Sequence, residues 1–81
     1  MSKREKAILR LRQNPNNVRF DELDAILLGL GLEKRQRGSH ATYTLPGSPI
    51  ILTIPHRKPF ILPIYVKHVL QILDELDLLD D

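Results

Sequence analysis

From His40 to Leu45 the residues alternate polar and apolar without a break: His40, Ala41, Thr42, Tyr43, Thr44, Leu45. A strand sends successive side chains to opposite faces, so His40, Thr42 and Thr44 share one face and Ala41, Tyr43 and Leu45 the other. Directly before the alternation stand Gly38 and Ser39, and before them the basic run Arg35-Gln36-Arg37. A sharp reversal between strands often requires φ > 0, a region that glycine enters without steric penalty. The stretch therefore predicts a hairpin that turns at Gly38 and Ser39, with Arg35 and Arg37 on its first arm and His40 opening the second. With the apolar side of the second arm buried, His40 stands on the open side of a sheet, both arginines close by. A histidine so placed can meet an anionic ligand.

Helical signals flank this hairpin. Phe20, Leu23, Leu27 and Leu30 recur at spacings of three, four and three, with Ile26 alongside, a stripe wide enough to bury. Asp21, Glu22 and Asp24 are read as its first turn, where the helix dipole favours negative charge. Gly31 suits the C′ position, with Leu32 as its apolar partner one residue on. Upstream, Ser2 and Glu5 have the form of a capping box, and Ala7, Ile8 and Leu11 make a thin stripe that Asn14-Pro15 ends. That first helix is strongly cationic and is expected to dock weakly. Asn16 to Arg19 read as a connector.

Beyond the hairpin, Leu45 to Pro49 form a loop by composition, and Ile50 to Ile54 are the most β-prone run in the chain, closed by Pro55. His56-Arg57-Lys58-Pro59 is a second basic patch. Phe60-Ile61-Leu62 leads into Pro63, a good first residue for a last helix lined by Val66, Val69, Leu70, Leu73 and Leu76. The acidic end, Asp77 to Asp81, is expected to fray. The order is α-β-β-β-α, an α+β fold with a three-stranded antiparallel sheet and both flanking helices on one face, plus an extra N-terminal helix. It divides as a cationic helix over residues 1–15, a main domain over 16–76 and a tail over 77–81. This order is that of double-stranded-RNA-binding domains.

Eighty-one residues make one domain. With no cysteine there is no disulfide framework and no thiolate metal cluster, which fits a reducing cytoplasm. No apolar run approaches the roughly 18 residues of a membrane span, and the basic N-terminus lacks the apolar stretch of a signal peptide. The expectation is a soluble cytoplasmic chain. Charge is unevenly placed: residues 1–40 hold nine Lys and Arg against five acids, and residues 41–81 hold three against five. The first half suits phosphates, although an ordinary solvated surface would carry the same bias.

Among chemistries, a metal site is disfavoured because His40, His56 and His68 lie sixteen and twelve residues apart with no close pair. A Ser-His-Asp hydrolase fails because Ser39 adjoins His40 and alternation sends the two side chains apart. RNA cleavage without metal or cofactor remains. RNA supplies its own nucleophile in the 2′-hydroxyl, so the protein needs only proton transfer and stabilisation of a charged phosphorane. A histidine with a reference pKa of about 6.5 suits the first, and Lys or Arg the second. His40 with Arg35, Arg37 and Lys58 supplies that set, with Arg57 adding to RNA binding and His56 as a second candidate. An exposed histidine is also ordinary in a small domain, and His68 reads as a helix-flank residue.

Asn14 to Leu23, the Gly31-Leu32 helix exit, Arg37-Gly38-Ser39-His40 and Thr53-Ile54-Pro55-His56 together resemble the HicA-type (YcfA-like) toxins, small mRNA interferases of bacterial toxin–antitoxin pairs. The similarity runs from about Asn14 to Leu73. It implies a fold like the double-stranded-RNA-binding domain, and mRNA cleavage that depends on the histidine of Gly-Ser-His, here His40. Gly38 and Ser39 carry over as positioning residues. A HicB-like antitoxin that covers the active site is also implied. Where the family often has a lysine-rich turn before the last helix, this chain has Phe60-Ile61-Leu62-Pro63, read as apolar surface that weakens RNA contact or faces a protein partner. Two readings compete with the nuclease: a non-catalytic RNA-binding module of the same fold, and a protein-interaction domain that uses a sheet edge or the 60–62 patch.

Overall fold

The structure, a computed structural model, describes residues 3–76. Its elements are α1 (Lys3–Gln13), α2 (Phe20–Gly29), β1 (Glu33–Arg37), β2 (His40–Thr44), β3 (Ile51–Pro55) and α3 (Pro63–Glu75). Ser2 of the expected capping box and the acidic stretch 77–81 lie outside the described residues. The strands form one antiparallel sheet in the order β1-β2-β3. The α+β order α-α-β-β-β-α is therefore the expected one.

Local sequence sets the ends of these elements. Past Gly29, the Leu32 N–H donates to the Leu27 carbonyl at 3.2 Å and the Gly31 N–H to the Leu28 carbonyl at 3.1 Å. Gly31 sits at φ 96. This is the Schellman arrangement, which satisfies two orphan carbonyls and turns the chain into β1. Leu32, the apolar residue that follows, is buried. Pro63 starts α3 at a position where its missing N–H costs no hydrogen bond. At the start of α2, Arg19 is the N-cap and makes no side-chain capping bond; only Asp21 and Glu22 are acidic in the first turn. Asp24, assigned to that turn by sequence, lies one step further and has a different task.

One core joins the layers. Leu23, Leu27, Tyr43, Val66 and Leu73 are fully enclosed, and Ala41, Leu52 and Ile54 face them from the sheet. Register makes this one face: Gln36 pairs with Ala41 and Ala41 with Ile54, while Lys34 pairs with Tyr43 and Tyr43 with Leu52. Two sequence readings need correction. The first helix does more than rest on the surface, because Ile8 and Leu11 lie in this same core and Leu11 is only 1% exposed. Arg10 pairs with Glu22 at 2.9 Å, and Arg12 pairs with Asp74, fastening α1 to both other helices. The 60–62 segment is divided: Leu62 is exposed and Phe60 half-buried, as an apolar surface would have it, but its middle residue is not on the surface. Ile61 is 1% exposed, and its N–H donates to the Val18 carbonyl at 2.8 Å, joining two connectors through the core.

Candidate nucleic-acid site

The hairpin forms where the sequence puts it. Arg37 pairs with His40, leaving Gly38 and Ser39 as the turn, and Gly38 sits at φ 57. A side chain at Gly38 would meet open space, so the demand for glycine comes from the backbone angle alone.

The ladder then sorts the side chains. The face opposite the core carries Glu33, Arg35 and Arg37 from β1, His40, Thr42 and Thr44 from β2, and Ile51, Thr53 and Pro55 from β3. Arg37 stands directly opposite His40, and Arg35 opposite Thr42. All three of Arg35, Arg37 and His40 are exposed. The hydroxyls of Thr42 and Thr53 meet across the strands at 3.5 Å. On its other side His40 pairs with Pro55, whose ring offers no competing charge. Neither Arg35 nor Arg37 forms an ion pair with another described residue, so both guanidinium groups can engage an anion beside the imidazole.

Lys34 and Gln36, from the same basic run, turn to the other face. The Lys34 ammonium lies 2.8 Å from the Asp24 carboxylate and 5.3 Å from the Phe20 ring centre. Asp24 also accepts a 2.6 Å hydrogen bond from the Tyr43 hydroxyl. Burial pushes the Asp24 carboxyl up, but the Lys34 and Tyr43 hydrogen bonds and the Lys34 charge outweigh it and hold it below its ordinary value. The same surroundings act together on Tyr43: burial, the bond to Asp24 and the carboxylate charge all push its phenol well above the usual range. This triad pins β1 and β2 to α2, directly behind the His40 face.

His56 is set apart from His40. Its backbone N–H donates to the Ser39 carbonyl, tying the end of β3 to the hairpin turn. Its ring, however, stacks on Phe20 at 4.2 Å with an interplanar angle of 17°. Arg57 and Lys58, with Arg19, line an open cleft there of about 270 Å³. The structure thus brings Arg35 and Arg37 to His40, while Lys58 and Arg57 gather around His56. Sequence reasoning missed Arg19, read as a connector, and the pairing of Phe20 with His56; the only available signal was Arg19 preceding the helix stripe. His68 is exposed on α3, beside β3.

Among the described residues, no three His, Asp or Glu side chains cluster as a metal site would require. No helix among them is long and apolar enough to cross a membrane. No curated protein and no solved structure matches the chain. The family model described as the HicA toxin of bacterial toxin–antitoxin systems matches residues 20–74, from the start of α2 through nearly all of α3, and so takes in the hairpin, both arginines and both histidines of this end of the sheet. The chain belongs to the HicA toxin family, the toxins of bacterial toxin–antitoxin systems.

Proposed function

We propose that the protein is an endoribonuclease that cleaves mRNA without a metal, using His40 for proton transfer. One observation carries this reading: an exposed imidazole directly opposite the exposed guanidinium of Arg37, with Arg35 two residues along on the same face. In the reaction, the RNA 2′-oxygen loses its proton and bonds to the adjacent phosphorus, and the P–O5′ bond breaks. The products are a cyclic 2′,3′-phosphate and a 5′-hydroxyl end. His40 acts as general base or acid in that exchange. Such a group contributes about 10²–10⁴-fold to a rate. Arg35 and Arg37 oppose the charge that builds on the phosphorane, where preorganised cations act most strongly. Gly38 and Ser39 set the turn that aims His40. Arg57 and Lys58 extend the cationic surface past the end of β3.

The partner implied by the family is an antitoxin, and a HicB-like protein lying over the open face would deny RNA access to His40. The test is induced expression of the parent and of His40→Ala in bacteria, scoring growth and total mRNA. Growth arrest with mRNA loss for the parent alone supports the proposal. Arrest by both would remove His40 from the chemistry. Intact mRNA with both, while each folds and binds RNA, would favour the non-catalytic RNA-binding module.

A further inference from the structure

We propose that the cleft between the start of α2 and residues 56–59 is a second RNA subsite. It would take the backbone phosphate of a nucleotide flanking the cleaved one, and His56 would serve there in binding and not in proton transfer. The proposal rests on the RNA-cleaving reading above and adds to it where the strand goes after His40.

The position comes from the ladder. His40 pairs with Pro55, and His56 is the next residue, bonded through its backbone N–H to Ser39. The ladder therefore brings the two histidines, sixteen residues apart in sequence, to the same end of the sheet. Pro55 shares the open face with His40, whereas His56 turns to the helix side and stacks on Phe20. With His40 on the open face and His56 stacked on Phe20 of α2, the two rings face different surroundings, and His56 is assigned to binding. A strand crossing His40 and rounding that end meets His56 next.

The chemistry of the cleft suits an anion. Arg19, Arg57 and Lys58 line it, and none of them forms an ion pair with another described residue. One acid, Asp21, stands against these three cations. The ten-residue helix α2 begins at the cleft wall, and the Arg19 side chain does not cap its N-terminal N–H groups, so the dipole adds to the positive field. Phe20 is 6% exposed and held in the core, which makes it a rigid platform against which the imidazole is preset. A preset ring costs little ordering on binding.

The test uses the full chain in a His40→Ala background, so that cleavage does not enter the readout. Anisotropy of a labelled single-stranded RNA of mixed sequence is followed at several salt concentrations. Adding Arg57→Ala with Lys58→Ala should raise Kd about tenfold at low salt and flatten the salt slope by about 0.7 for each phosphate that the cleft no longer neutralises. Lys6→Ala with Lys67→Ala removes equal charge from exposed positions on α1 and α3 and should leave both values nearly unchanged. An equal or larger loss from that control pair, or no loss from the cleft pair, overturns the subsite. In the His40-intact chain, His56→Phe keeps the ring stack and should raise KM with kcat unchanged. A fall in kcat at constant KM would assign His56 to proton transfer and overturn its binding role. If the parent binds RNA with the predicted dependence on the cleft pair but never cleaves it, the nuclease reading fails and the subsite stands.

Discussion

Lys34 and its neighbours Arg35 and Arg37 belong to one basic run on one strand, yet the sheet gives them opposite roles. Lys34 turns inward, where Asp24 neutralises it and Phe20 lies beneath its ammonium. Arg35 and Arg37 turn outward, are exposed, and have no ion-pair partner among the described residues. A charge facing the core of a small domain must be compensated, and compensation uses it up as a binding group. A charge on the open face stays available. The basic run is therefore not one unit: β-strand period divides it into a cation used in packing and a pair left exposed on the open face.

Breaking the inward side should cost stability and leave RNA chemistry alone. Asp24→Ala strips the partner from both Lys34 and the Tyr43 hydroxyl and should lower unfolding free energy by about 2 kcal/mol. Chemical denaturation checks this, and the folded variant should keep its affinity for RNA. Tyr43→Phe removes only the hydrogen bond to Asp24 and should cost about 1–2 kcal/mol.

The same triad fixes the direction of pH effects. Asp24 is held below its ordinary value, so its contribution is full above the unfolded carboxylate pKa of about 3.9 and is lost as pH falls through the lower folded value. Tyr43 is raised, so its contribution is full below the unfolded phenol pKa of about 10 and is lost as pH rises beyond it. Denaturation midpoints across pH should therefore fall at both ends. Asp24→Asn should flatten the acid side and Tyr43→Phe the alkaline side; unchanged pH profiles would contradict the triad.

Smaller effects are expected at the turn and on the outward side. Gly38→Ala places a side chain at φ 57 and should cost about 1 kcal/mol; on the proposed reaction it should also reduce RNA cleavage by displacing His40. Arg37→Gln separates the two faces most clearly. It should change stability by no more than about 0.5 kcal/mol, as surface substitutions do. Its kcat/KM should nevertheless fall, the reverse of the pattern at Asp24. A stability loss matching that of Asp24→Ala would erase the distinction between inward and outward cations.

Much of this arrangement is legible in the chain. The α2 stripe with Gly31 behind it, Pro63 at the head of α3 and the alternation after Gly38 each state a local geometry, and each is where the structure has it. Less legible is which side of β1 packs. Glu33 to Arg37 are all polar, so the strand carries no apolar marker, and its orientation is inherited from β2 through register. Val18 and Ile61 are hidden for another reason: their backbone bond joins two connectors far apart in sequence, and no local period reports a bond of that kind. The thin stripe on α1 understates its burial because Ile8 and Leu11 fill space that α2 and α3 leave open. For the site, His40, Arg35 and Arg37 share the face that alternation gives them. The gathering of Arg19, Phe20 and His56 requires the fold.

Whether His40 carries the chemistry is decided by cleavage of a single-stranded RNA by the purified chain in the presence of a chelator, parent against His40→Ala, with unfolding curves measured on both. The expected result is cleavage by the parent, a loss of about 10²–10⁴-fold in kcat for the variant, and stability within about 0.5 kcal/mol of the parent. Equal cleavage by both proteins, or cleavage that the chelator abolishes, would contradict a metal-independent reaction at His40.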